Sequence, residues 1–258
     1  MEGMKKQGKI FIGTSGWKYK HWDDVFYPKM LKKSDQLNYY HHLFNTVELN
    51  NSFYRQPEAH QFAAWKMGVP DDFIFAVKAN RFFTHLKKLN VTESDVLSFL
   101  DQAAHLEQKL GPILFQLPPS WKINLQRLEN FLNLLPKNYR YTFEFRNHTW
   151  YGEELYRMLA NYNCAFCIYE LAGHLSPLPI TADFTYVRLH GPGDKYQGSY
   201  TTKALEKWAN FAKDASTNGK DVYIYFDNDQ AGYAAYNAQE LKKIIADILN
   251  TRYLILNT

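Results

Sequence analysis

Cysteine is nearly missing from this chain: Cys164 and Cys167, in the run NCAFCIYE, are the two among 258 residues. Two thiols cannot staple a small secreted scaffold. Their C-x-x-C spacing fits a redox or metal motif. The run reads as a strand, however, on which residues three apart face opposite sides, and no second cysteine pair completes a zinc site. Both are expected as buried thiols in a reducing compartment. Long apolar runs are missing as well. No stretch approaches the roughly 18 apolar residues of a membrane span, so no membrane partner is expected. The opening MEGMKKQGKIFIGTSGW carries lysines but no signal-peptide core, which makes the cytoplasm the expected compartment. A surplus of charge is also lacking: 30 basic against 26 acidic side chains leave +4. So mild an excess suits an anionic ligand and does not by itself mark a nucleic-acid binder. With no linker, repeat or low-complexity tract, residues 1–258 are expected to form a single domain.

What the chain has is apolar and aromatic bulk, 46% and 17% of its residues, enough for a large core without metal or disulfide support. Eight runs rich in Val, Ile, Phe and Tyr read as strands. They are KIFIGTS (9–15), NTVELN (45–50), FIFAVKA (73–79), PILFQL (112–117), YTFEFRN (141–147), CAFCIYE (164–170), FTYVRLHG (184–191) and VYIYFDN (222–228). Between several of them apolar residues recur at helical spacing: Leu97, Leu100, Ala104 and Leu110; Leu125, Leu128, Phe131, Leu132 and Leu135; Leu155, Met158 and Leu159; Leu205, Trp208, Ala209 and Phe211; Leu241, Ile244, Ile245 and Ile248. Thr92 or Ser94 is placed to cap the first. Eight strands alternating with helices over about 250 residues predict an α/β fold, a single (β/α)8 TIM-type barrel. A doubly wound sheet, the rival, would use fewer strands and a glycine-rich phosphate turn, of which GTSGW is a faint echo. No cofactor is expected.

The strands share a second pattern. In six of them large apolar residues keep one parity, while ionisable or amide residues occupy the other only near the C-terminal end. Glu48 and Asn50 oppose Val47 and Leu49. Lys78 opposes Val77, and Gln116 opposes Phe115 and Leu117. Glu144 and Arg146 oppose Phe143 and Phe145, Arg188 and His190 oppose Val187 and Leu189, and Asp227 opposes Phe226. In a barrel the apolar parity faces the helices and the polar parity faces the axis. These side chains are therefore expected to converge in a solvent-reachable hollow at the C-terminal mouth, where such barrels carry their chemistry. A buried ion-pair network that merely completes the interior is the competing reading.

Several stretches then become recognisable together: GTSGWKYKHW with FYP, FNTVELNNSFYRQP, FIFAVKANRFFTH, ILFQLPPSW, FEFRNHTW, DFTYVRLHG, and YIYFDND with NA. With them the chain resembles the YecE-like family, known as domain of unknown function 72. The resemblance implies a TIM-type barrel and no established reaction. One departure stands out. Where an Asp-containing end to the sixth strand is expected, this chain reads CIYELAG, so Tyr169 or Glu170 takes that place.

Glu48 and Glu144 are the leading acid/base candidates, since carboxylates sharing a cleft can have their pKa values driven apart. His190 is the expected proton shuttle, and Asp227 joins the catalytic set. Lys78, Arg146 and Arg188 are expected to hold an anion, with Asn50, Gln116, Trp17 and Tyr54 as further binding residues. A divalent metal on Glu48, Glu144, His190 and Asp227 is conceivable but disfavoured by three nearby cations, and no metal is expected. The expected activity is acid/base chemistry on a small phosphate- or carboxylate-bearing substrate. The alternative is a nucleic-acid-binding or repair protein that grips a single-stranded or flipped nucleotide.

Overall fold

The structure, a computed structural model, describes residues 6–256. Its frame is a ring of eight parallel strands: β1 (Ile10–Thr14), β2 (Thr46–Leu49), β3 (Ile74–Lys78), β4 (Leu110–Leu117), β5 (Tyr141–Phe145), β6 (Ala165–Leu171), β8 (Phe184–Leu189) and β9 (Asp221–Phe226). They follow the order β1-β9-β8-β6-β5-β4-β3-β2, and a two-residue strand, β7 (His174–Leu175), folds back antiparallel on β6. Each of the eight expected runs is a strand, trimmed or extended by one to two residues. The chain is a (β/α)8 TIM barrel.

The ring is nearly closed. Between β1 and β2 a single parallel bridge, Ser15 to Glu48, spans the gap. Gly13 lets the two backbones come this near, because a Cβ there would lie 2.2 Å from the Thr46 carbonyl oxygen. A side chain in that space would push the strands apart.

Helices α1 (Gln36–His41), α2 (Asn51–Tyr54), α3 (Ala59–Met67), α4 (Glu93–Ala103), α5 (Leu125–Leu132), α6 (Glu153–Asn161), α7 (Thr202–Thr217) and α8 (Tyr233–Leu256) lie among the strands. Helices α5 to α8 match the periodic runs; the first run is corrected, because α4 buries Val96, Phe99, Leu100 and Ala103 while Leu97 is exposed, and Leu110 begins β4 after a 3-10 turn. Thr92 is the cap of α4: its Oγ1 accepts from the Asp95 amide, and Asp95 accepts in turn from the Thr92 amide, a reciprocal box. The helices before it have no such signal, since α3 buries Phe62 alone. Among the described residues the β6–β8 connection contains no helix. Thr181 anchors it, accepting from the Phe166 amide and donating to the Cys164 carbonyl.

The expected parity holds in three dimensions. Val47, Leu49, Phe75, Val77, Phe115, Leu117, Phe143, Phe145, Val187, Leu189, Ile224 and Phe226 pack outward with the helices in one continuous core. The lower barrel interior is a separate plug that includes Phe11, Ala76, Leu114, Phe184, Tyr186, Tyr223 and Tyr225. Cys164 belongs to the outer core and Cys167 to the plug, both buried and free. Burial pushes both thiols up, Cys164 to about 12, so neither is a ready nucleophile. Above the plug the interior turns ionisable.

Candidate functional site

The polar layer is organised around one guanidinium. Arg188 leaves the last turn of β8 inward and is 1% exposed. Its Nε donates to Glu48 Oε2 at 3.0 Å and its Nη2 to Glu48 Oε1 at 2.8 Å. Nη1 donates to Glu144 Oε2 at 2.9 Å, and Nη2 also reaches Asp227 Oδ2 at 3.1 Å and Ser15 Oγ at 3.1 Å. One planar fork thus ties β1, β2, β5 and the end of β9 to β8. Arg suits this position, as its donors lie in a plane and it stays charged.

The two glutamates are fully buried and saturated. Glu48 accepts from Arg188, from Ser15 Oγ, and from Tyr186 Oη at 2.6 Å out of the plug below. Glu144 accepts from Arg188, from Arg146 Nε, and weakly from Cys167 Sγ. Burial opposes ionisation of Glu144, but Arg146 and Arg188 outweigh it and hold its carboxyl well below the usual range. Asp227 is held down likewise: burial works against the charge, and the His190 imidazole and Arg188 prevail. The expectation of a solvent-reachable hollow lined by Glu48 and Glu144 is thereby corrected. The side chains do converge, but both glutamates lie beneath the surface, each paired with an arginine and its remaining lone pairs taken by hydroxyl or thiol donors. A charge this deep is tolerable only when so paired.

His190 is buried above Arg188. Its Nε2 lies 2.8 Å from Arg146 Nη2 and 3.2 Å from Arg188 Nη1. Both neighbours can only donate, so Nε2 is the acceptor and the proton sits on Nδ1, which lies 2.8 Å from Asp227 Oδ2 without hydrogen-bond alignment. Burial, then Arg188, lowers its pKa. A neutral imidazole in one fixed tautomer results, not the exposed shuttle expected from the sequence. The loop after it folds back over the ring: Gly191, at φ +112, makes the turn, and the Tyr196 amide donates to the His190 carbonyl at 2.7 Å. The Tyr196 ring covers the imidazole at 5.5 Å.

Two cations stay at the surface of this floor. Arg146 spends Nε on Glu144 and Nη2 on His190 and lies 4.6 Å over the Tyr169 ring. Among the described residues its Nη1 has no acceptor. Lys78 stands at the end of β3, partly exposed; its Nζ has neither hydrogen bond nor ion pair among them, and sits 4.3 Å over the Phe53 ring. Burial and the nearby Arg188 charge lower it to about 8, against the pull of Glu144, Glu48 and Asp227.

The remaining candidates divide. Gln116 is half-buried and in register with Glu144 on the neighbouring strand. Trp17 and Asn50 sit beside the floor, not in it. With Tyr19, Leu49 and Trp65 they line a cavity of about 370 Å³, where Trp17 Nε1 and Asn50 Oδ1 have no partner. Tyr54 lies outside the cluster, 75% exposed on α2 and edge-on to Phe53. At the sixth strand, Tyr169 takes the inward place, its hydroxyl 2.8 Å from that of Tyr151. Glu170 faces the other way, toward Trp208. Sequence reasoning missed Ser15 and Tyr186: Tyr186 continues the inward parity of Arg188 and His190, whereas Ser15 lies on the first strand, for which no parity was drawn. His85 belongs to a single π-helical turn, Phe82–Leu86, and packs edge-on against Phe53 at 5.0 Å. No local pattern announces such a turn. Among the described residues no three His, Cys, Asp or Glu side chains are grouped to hold a metal ion, and no helix is long and apolar enough to cross a membrane.

Comparison with known proteins places this geometry. The family model described as "Protein of unknown function DUF72" matches residues 11–252. A solved DUF72 family protein from Thermotoga maritima is 32% identical and superposes with a TM-score of 0.84 over 92% of this chain and 99% of that one. The UPF0759 protein YunF of Bacillus subtilis is 26% identical over 92% of this chain and 94% of its own length. The UPF0759 protein YecE of Escherichia coli is 28% identical over 56% and 52%, respectively.

Proposed function

The chain belongs to the DUF72 family, whose description assigns no reaction, and from that premise we propose that it is an enzyme that holds a small anionic substrate at the barrel mouth, with Lys78 and Arg146 as the groups that meet it. The observation that carries the proposal is the state of Lys78. Of the three cations in the layer it alone has no carboxylate partner among the described residues, and it is partly open to solvent. Arg146 adds a free Nη1 held in position by Glu144, His190 and Tyr169. An anion bearing phosphate or carboxylate oxygens complements such a pair.

The buried Glu48–Arg188–Glu144–Asp227 network then acts as a rigid floor that aims these two donors. Proton transfer falls to the Lys78 amine, whose pKa near 8 suits it to give or take a proton close to neutral pH. The nucleic-acid alternative has no comparable observation behind it, because within the polar layer Arg188 is neutralised by carboxylates and only Lys78 and one N–H of Arg146 remain to meet a strand. The test is calorimetric titration with inorganic phosphate and a set of small carboxylates, on the wild type and on Lys78→Met. Binding that weakens at least tenfold in the variant supports the reading. Equal affinity in both overturns it.

A further inference from the structure

We infer that Lys78 is a covalent site: its ε-amino group condenses with the carbonyl of a small anionic aldehyde or 2-oxo acid to form an imine. The inference rests on the anion-binding reading above and goes beyond it in naming the substrate class and a bond.

Three features of the geometry support it. The amine projects inward from the C-terminal end of a barrel strand, is partly exposed, and has no protein acceptor among the described residues to tie it down. Its Nζ lies 4.3 Å over the Phe53 ring instead of against a carboxylate; the ring face by itself favours the ammonium, but burial and the Arg188 charge outweigh it and lower the amine to about 8. Arg146 presents an unused N–H at the same mouth, and would seat the acid or phosphate group of a substrate whose carbonyl lies over Lys78. A lysine kept only for charge would be expected to pair with one of the carboxylates. Here both glutamates are consumed by Arg188 and Arg146.

The step balances without a co-reactant. The amine lone pair attacks the carbonyl carbon, the C–N bond forms, and the nitrogen proton passes to oxygen to give a carbinolamine. The C–O bond then breaks as the second nitrogen proton passes to the departing oxygen, water leaves, and the product is a neutral imine. His85, on the other contact of the Phe53 ring, is the side chain that relays that proton: burial, Lys78 and Arg81 lower its pKa, so it enters the step as a neutral imidazole. Its Nδ1 is 2.9 Å from Thr84 Oγ1, and Nε2 has no partner among the described residues. Burial and Arg188 from β8 lower the amine's pKa, against Glu144 from β5, Glu48 from β2 and Asp227 after β9; Lys78 in turn lowers His85 on the π-helical turn. Imine formation should therefore quicken as pH rises toward about 8, where the neutral amine becomes abundant.

The experiment is reductive trapping. The full-length protein is incubated with glyoxylate or glycolaldehyde phosphate, with and without borohydride, and the modified peptide is located by mass spectrometry. Binding of the same compounds is measured in parallel by thermal shift. Borohydride-dependent addition of one equivalent on the Lys78 peptide, lost in Lys78→Arg and slowed at least tenfold in His85→Ala, supports the inference. Binding without an adduct on Lys78 sinks the imine and leaves the anion-binding reading standing. Neither binding nor adduct overturns both. Labelling spread evenly over surface lysines also counts against it.

Discussion

Arg188 and Glu48 face one another as fork and carboxylate, with Nε 3.0 Å from Oε2 and Nη2 2.8 Å from Oε1, both side chains closed off from water. The pair crosses the barrel interior from β8 to β2. It also stands beside the single bridge that closes β1 against β2. A bidentate, fully buried ion pair is thus at the weakest seam of the sheet.

Removing the fork alone should be severe. Arg188→Met would leave Glu48, Glu144 and Asp227 buried without their shared cation, and breaking such a pair costs about 3–5 kcal/mol. Urea unfolding should show that loss. In Arg188→Met/Glu48→Leu part of it should return, because one orphaned charge has gone. A double variant no more stable than the single one would argue against this account.

Tyr186→Phe isolates one hydrogen bond. The hydroxyl donates to Glu48 Oε2 at 2.6 Å from the plug beneath. Loss of a bond to a charged acceptor is expected to lower stability by about 1.5–3 kcal/mol. The urea midpoint should fall with no change in slope, since the volume left behind is small.

Gly13→Ala tests the seam directly. Its Cβ would meet backbone, the Thr46 carbonyl at 2.2 Å, which cannot rotate away. Overpacking at such a site should cost about 3 kcal/mol. Gly193→Ala, with nothing within 4 Å of the new carbon, is the control and should stay within about 0.5 kcal/mol of wild type. Equal effects at the two sites would refute the close approach.

Acid should unfold the protein through its carboxylates. Glu144 and Asp227 are held below their ordinary values when folded, so the unfolded chain binds more protons below about pH 5. Stability from these groups is present above the unfolded carboxylate range and drains away as pH falls through it toward the folded values. Unfolding free energy measured from pH 6 to pH 3 should decline, and the decline should be shallower in Glu144→Gln.

Anion affinity should run the other way in pH. The Lys78 ammonium is the binding form, and it empties as pH rises through about 8. Phosphate should bind more weakly at pH 9 than at pH 7 by about tenfold, beyond the change due to phosphate's own titration. A profile that stays flat across this interval would remove Lys78 from the contact.

How far these features could be read in advance depended on their range. Alternation has a period of two, so Val47 and Leu49 announce themselves against Glu48 without any knowledge of neighbours. The stripes of α5 to α8 do the same at a period of 3.6. Helix α3, with one buried side chain, gives no stripe, and the π-helical turn that carries His85 has no local signature. Conversely, Tyr169 against Glu170 was an open choice in the sequence, and strand direction resolved it.

Taken by itself, the order of residues determined the strands, the helices with a buried face, the barrel, and the set of side chains that point to its axis. All of these follow from local periodicity and the need to bury apolar surface. Tertiary structure decided which of those side chains meet water. Glu48 and Glu144 lie deep because a neighbour 140 positions away in one case and 44 in the other, Arg188, brings the compensating charge. Lys78 is left free because the carboxylates it could have paired with are already taken. Such competition for partners depends on distances across the barrel, which no stretch of sequence encodes alone.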